Sequence, residues 1–307
     1  MHAVFAIEPD AINNWHDLRY VLEKFGYSKG LLIARFPKTW MSLVMEACRQ
    51  NGLGDVELKR IEEKLRQAKD DRSVRMGLSS AGDNWLGKVL NEAVMAKVTE
   101  VLVRDKHDAE RLHCLAEVDE ALFDNRRDVQ VKRNAQALAD AARYVLLSAD
   151  RIVLVDPYFQ SEAKCCKVLK AMLDLCREQS HRLVEVKIFT SQKTDKRQVD
   201  LIAGDYERLL GGMLEQGVRI RIYLLPDSDL DHDFHARYVL SQRAGLRFDR
   251  GFVEPVDHGQ REHMTDIACL DESRVAELGS RYLVFDDELV GVECISLPLN
   301  RYGVARG

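Results

Sequence analysis

The sequence predicts an α/β protein in two parts: a mostly helical N-terminal domain of uncertain fold over 1–130 and a C-terminal mixed-sheet domain over 131–307. Three observations carry this. Up to about residue 125 many apolar residues recur at three- and four-residue spacing inside densely charged stretches, the pattern of amphipathic helices. Beyond residue 134, short apolar runs of strand length alternate with helical patterns, which implies parallel strands joined by right-handed crossovers. At 307 residues the chain exceeds the usual single domain and is long enough to bury a sizeable core.

Taken in order, Pro9-Asp10 opens a helical stripe of Ile12, Trp15, Leu18, Val21, Leu22 and Phe25, closed by Gly26. A second helix is predicted over 39–49, after Phe36-Pro37 and before Asn51-Gly52. Between the two, Lys29, Arg35 and Lys38 stand beside Tyr27, Phe36 and Trp40, a mixture that suits either phosphate pairing with base stacking or a solvated rim over a packed aromatic core. The densely charged stretch 56–76, with Leu58, Ile61 and Leu65 as its apolar stripe and Glu62 four residues before Arg66, predicts an exposed helix. Residues 77–83 read as a loop, Trp85 begins another helix, and 98–103 is a strand. His107 and His113 flank the next predicted helix start, and six residues do not bring two side chains onto one helical face, so they make no metal pair.

The polar stretch 123–133, with Arg126, Arg127, Lys132 and Arg133, reads as the join between the domains. Helices are then predicted over 135–149, 161–177, capped by Ser161, and 198–216, with strands over 151–155, 183–190 and 218–225. After Pro226 comes an acidic approach, Asp227, Asp229, Asp231 and Asp233, and then a β-hairpin with His235 at its entrance and Gly245 near its turn. A strand over 265–270 and a helix over 272–285 complete the pattern. Open α/β sheets take ligands beyond the carboxyl ends of their strands, so Asp156, Thr190 and Ser191 are candidates to line a pocket. Asp156 has an equal claim as a turn residue before Pro157, and the other two as helix caps.

Composition narrows the function classes. The net charge is -5, so no global electrostatic footprint for nucleic acid exists and polyanion binding must come from local patches. No apolar run approaches the roughly 18 residues of a membrane span, and the first residues lack a basic region followed by a long apolar stretch, so the expected location is cytoplasmic. Seven cysteines without a C-x-x-C pair read as reduced thiols, with Cys165 and Cys166 as apolar filler on a helix. The acids from Asp227 to Asp233 do not make an EF-hand, because Tyr238 or Leu240 falls where the terminal glutamate belongs. Dinucleotide, Walker and serine-hydrolase fingerprints are absent, and no cofactor or metal is expected.

His235 and Arg237, two residues apart on one predicted strand, project to the same face. A neutral imidazole beside a permanent cation suits an anionic phosphate. The run His235-x-Arg237, then Gln242, then Gly245 and Gly251, resembles the His-x-Lys-(x)4-Asp motif of the phospholipase D superfamily. It is most similar to the phospholipase-D-like domain at the C-terminus of MIT-domain proteins, where an arginine likewise follows the histidine. The resemblance covers roughly the second half of the chain. It implies a metal-independent phosphodiesterase in which one histidine attacks phosphorus, a second protonates the leaving oxygen and the lysines stabilise the phosphoryl oxygens.

On this resemblance His235 is the nucleophile, Arg237 stabilises charge on phosphorus, Asp231 or Asp233 orients the imidazole, and Asp156 and Gln242 support them. Arg247 and Arg250 would add to the phosphate pocket, or else pair with Asp249 or Glu254. Gln242 stands where the family has aspartate and removes an orienting anion. The chain holds one copy of the motif, so a symmetric homodimer would supply the second His235. The expected function is phosphodiester-directed, toward nucleic acid rather than lipid, in a bacterial DNA-processing or phage-defence assembly by analogy. The alternative is a catalytically inactive scaffold that binds a partner protein or a phosphate group.

Overall fold

A computed structural model describes residues 2–77, 82, 84–124, 127–179, 185–215, 217–226, 236–285 and 292–299. The chain is mixed α/β and divides into two compact units, 1–127 and 128–307.

The first unit is built on a parallel sheet of β1 (Ala3–Ile7), β2 (Leu31–Arg35), β3 (Ser73–Arg75), β4 (Glu100–Val103) and β5 (Leu112–Cys114), in the order β3-β2-β1-β4-β5. β1 and β2 are buried along nearly their whole length, because helices cover parallel sheets on both faces and leave no polar alternation to read. Phe5, Ile7, Leu31, Ile33 and Leu102 form one face, packed under α1 (Trp15–Lys24), α2 (Trp40–Gln50) and α3 (Asp55–Asp71). The segment bearing α4 (Trp85–Val89) and α5 (Glu92–Met95) buries Val89 and Val94 and is tied back by Trp85 Nε1, which donates to the Phe36 carbonyl at 2.9 Å.

Helical residues outnumber strand residues here, but the sheet was not foreseen. Several local expectations change with it. The predicted first helix begins as a 3-10 turn, Pro9–Ala11, and α1 starts only after Asn14, whose side chain accepts the His16 and Asp17 N–H groups. The charged helix stops at Asp71 instead of 76, because 73–75 adds a parallel edge to β2. No helix starts between His107 and His113; His113 lies on β5, with Nε2 2.9 Å from Glu100 Oε2. Tyr27, Phe36 and Trp40 are all buried, so the basic and aromatic mixture is a rim over packed rings.

The second unit carries an eight-stranded mixed sheet. Its strands are β6 (Asp128–Lys132), β7 (Arg151–Val155), β8 (Glu185–Ser191), β9 (Arg219–Leu225), β10 (Arg237–Leu240), β11 (Gly245–Phe248), β12 (Met264–Cys269) and β13 (Glu293–Leu297). Their order is β13-β9-β8-β7-β10-β11-β12-β6, with β7, β8 and β9 parallel and every other pairing antiparallel. The expected hairpin extends the parallel core as β10 and β11. Strand β6 occupies part of the stretch expected to be the join.

One face packs α6 (Ala135–Leu147), α7 (Ala163–Gln179) and α8 (Val199–Leu214). On the other, Val153, Val155, Phe189, Tyr223, Tyr238 and Leu240 meet Leu278 and Tyr282 of α10 (Glu272–Tyr282). The short α9 (His258–Arg261) lies between β11 and β12. Cys165 and Cys166 are buried filler, and burial pushes their thiols up to about 11 and about 12.

Candidate phosphate site at the carboxyl edge of the second sheet

Strand β7 ends at Val155, and the next residue, Asp156, is only 1% exposed. Because β10 runs antiparallel to β7 with Tyr238 opposite Val155, continuing the register sets Arg237 opposite Asp156 on the face that bears Leu154, Val239 and Phe248. The sheet thus brings a carboxylate and a guanidinium together at the carboxyl ends of its parallel strands.

Both carboxylate oxygens are committed. Oδ1 accepts the Tyr158 N–H at 2.9 Å and Oδ2 accepts the Phe252 N–H at 3.1 Å, which fixes the turn after β7 and the stretch after β11. Burial pushes the Asp156 carboxyl above its usual range, against the pull of these two N–H groups and of Arg237. Arg237 places Nε 3.7 Å from Asp156 Oδ1 and donates through Nη1 to the Asp249 carbonyl at 2.6 Å. Its guanidinium lies 5.1 Å from the centroid of the Tyr158 ring, and Tyr158 is 51% exposed. A held cation therefore faces an aromatic surface open to solvent.

Gly251 makes this approach possible. Its φ is +72°, a conformation that side chains disfavour, and a Cβ there would press on Asp156 Oδ2 and sit 2.8 Å from Arg237 Cδ. Gly245 answers to packing instead: a Cβ would lie 2.7 Å from Leu270 Cδ1 and 2.8 Å from Leu240 Cδ2. Thr190 takes neither expected role; its hydroxyl donates to the Phe159 carbonyl at 2.9 Å and props the turn that carries Tyr158. Ser191 caps a short turn, accepting the Lys193 N–H at 3.1 Å.

The other expected residues distribute unevenly. His235, Asp231 and Asp233 lie outside the described residues. Gln242 is exposed in the turn at the far end of β10, away from Arg237. Arg247 pairs with Tyr238 and so projects from the opposite face, because successive strand residues alternate. Arg250 is exposed, with Nε 3.8 Å from Asp249 Oδ2, and its charge adds to burial in lowering the pKa of Arg133.

Two features were missed in the sequence. One is Tyr158, whose neighbour Pro157 signalled only a turn. The other is a cavity of about 490 Å³ lined by Ser161, Asp195, Arg197, Asp205 and Arg208, among others. There Arg197 donates to Asp205 Oδ2 at 2.7 Å, to Asp195 Oδ1 at 2.9 Å and to Ser161 Oγ at 2.7 Å. Its hydrogen bonds hold both carboxyls below their usual range. Ser161 thus serves this cluster and not the expected helix cap. Among the described residues, no group of three or more histidine, cysteine or acidic side chains is placed to hold a metal. No helix among them is long and apolar enough to cross a membrane.

The fold defines a two-unit α/β protein, and at the carboxyl edge of its second sheet Arg237 lies between the buried Asp156 carboxylate and the exposed Tyr158 ring. No family model and no curated protein matches the chain. Among solved structures it is similar to TrmBL2, an archaeal chromatin protein whose structure is described as showing a novel mode of DNA binding. The identity is 16%, over 54% of this chain and 53% of that one, with a TM-score of 0.27. The match spans about half the length of each chain.

Proposed function

We propose that the second unit is a phospholipase-D-like module that binds phosphodiesters, with nucleic acid as its ligand. The observation that supports this most directly is Arg237, a permanent cation steadied by a buried carboxylate and a backbone carbonyl beside the exposed Tyr158 ring. A guanidinium with a free edge pairs with phosphate oxygens, and an adjacent open ring offers a base a stacking surface. His235, two residues earlier, is the nucleophile implied by the motif, with a second copy supplied by a symmetric partner subunit. Cleavage would require no metal. The presence of one motif copy, with Gln242 in place of the aspartate, favours a second reading: a catalytically silent subunit that retains phosphate or partner binding.

Fluorescence anisotropy with single-stranded DNA, and cleavage of the same strand in the presence of a chelator, test both readings. Binding that weakens by roughly tenfold in Arg237→Ala supports the site. Turnover abolished by His235→Ala, with circular dichroism unchanged, supports the enzyme; binding without turnover at any concentration supports the silent subunit. Binding indifferent to Arg237 would sink both.

A further inference from the structure

The first unit holds a crevice of about 400 Å³ whose walls come from the segments that follow three different strands. Asn13, His16, Asp17 and Tyr20 follow β1, Arg104 follows β4, and Leu115 and Val118 follow β5. In the order β3-β2-β1-β4-β5, strands β1 and β4 are neighbours whose connections lead away in opposite directions across the sheet. That divergence opens a cleft at the strand ends, the place where open parallel sheets take ligands. Glu8 Oε2 accepts the Arg104 N–H at 2.7 Å and links the ends of β1 and β4. The volume falls within the range of small-molecule sites.

The lining selects the ligand. The side chains of His16 and Arg104 make no hydrogen bond among the described residues and are exposed; His16 acts electrostatically on Asp17, and the Arg104 guanidinium offers its fork to an anion with the imidazole in the same lining. Asp17, which accepts from Asn14 Nδ2 at 2.7 Å, keeps lone pairs for hydroxyl donors. Leu115, Val118 and the Tyr20 ring, the last steadied edge-on by Phe123, make an apolar wall. Residues 8–14 contain no glycine, and the Asn14 side chain already occupies the N–H groups of His16 and Asp17 at 2.7 and 3.0 Å. A backbone cradle for a pyrophosphate is therefore missing at this turn.

We propose that this crevice binds a mononucleoside phosphate, its phosphate on Arg104 and His16, its sugar hydroxyls on Asp17, and its base against Tyr20, Leu115 and Val118. The crevice is lined by first-unit residues, and the proposal does not depend on the reading of the Arg237 edge.

Calorimetric titration of the full chain with AMP, GMP, CMP and UMP, beside adenosine and inorganic phosphate, tests the assignment. At least one mononucleotide binds with a Kd below about 1 mM, and adenosine and phosphate alone bind more weakly. Arg104→Ala weakens binding by roughly tenfold or more, since it removes a charge-assisted contact. Ala116→Trp, at an exposed position that also lines the crevice, abolishes binding by filling the space and leaves the charges untouched. Arg19→Ala, which removes a cation paired with Glu23 on the same helix, and Arg237→Ala leave binding unchanged. No mononucleotide binding at millimolar concentration overturns the proposal. So does binding that survives both crevice variants, or binding lost in Arg237→Ala but not in Arg104→Ala.

Discussion

Replacing Gly251 with alanine tests the geometry on which the second-unit site rests. At φ +72° an alanine pays the left-handed penalty, roughly 1–2 kcal/mol. Its Cβ would press on Asp156 Oδ2 and lie 2.8 Å from Arg237 Cδ, so the carboxylate must move off the Phe252 N–H that it accepts at 3.1 Å. Losing a buried hydrogen bond to a charged group costs about 1.5–3 kcal/mol. Together these predict a loss of about 2.5–5 kcal/mol. Urea unfolding followed by fluorescence would show it as a lower midpoint with an unchanged slope. Gly204→Ala is the matched control: it lies within α8, an added Cβ meets nothing within 4 Å, and the exchange should stabilise by about 0.5–1 kcal/mol. A Gly251→Ala loss under about 1 kcal/mol would refute the claim that Asp156, Arg237 and Gly251 form one tightly packed cluster.

Other outcomes follow from the same structure. Burial lowers the His2 imidazole from 6.5 to about 4, against its hydrogen bond to the Tyr27 carbonyl, so the folded state binds its proton less readily than the unfolded chain. Its stability contribution is present above 6.5 and is lost as pH falls toward 4, with a ceiling of roughly 3 kcal/mol. The stability difference between wild type and His2→Gln, measured at both ends of that window, should shrink toward acid; a constant difference contradicts the assignment. Glu254 accepts the Ala135 N–H at 2.7 Å and pairs with Lys167 and, at 3.5 Å, with Arg261. Burial alone would raise its carboxyl, but these partners outweigh it and hold the group below its usual range, so its contribution is lost as pH falls through that depressed value. Glu254→Gln should cost about 2–3 kcal/mol in denaturant titrations, and a neutral result would remove Glu254 as an anchor of α6. Tyr158→Ala should weaken single-stranded DNA binding by about 1–3 kcal/mol with little change in folding, since half of the ring is already exposed. An unchanged affinity in anisotropy titrations would rule out stacking on that ring.

How much was legible depended on local pattern. The alternation of strand and helix beyond residue 134, the hairpin of β10 and β11, and the helices expected over 39–49 and 135–149 and found over 40–50 and 135–147 followed from apolar spacing, capping residues and glycine. Asp156 was singled out because open sheets take ligands beyond the carboxyl ends of their strands, with a turn role before Pro157 an equal claim. The parallel sheet of the first unit escaped because its strands are short continuous apolar runs, such as Val4-Phe5-Ala6-Ile7, whose period is hidden when both faces are buried. β3 and β5, of three residues each, carry too little pattern to register at all.

The chemistry of each edge divides in the same way. Residue identity along the chain determined that cations, carboxylates and glycines would cluster near the hairpin, and that nothing resembled a glycine-rich phosphate loop. Only the tertiary structure decided which of them meet. Antiparallel register set Arg237 beside Asp156, 81 positions earlier, and sent Arg247 to the other face. Strand order opened a crevice between residues as distant as His16 and Arg104. Periodicity reports which side of an element is buried; contacts between elements depend on register and strand order, which are settled when the whole core packs.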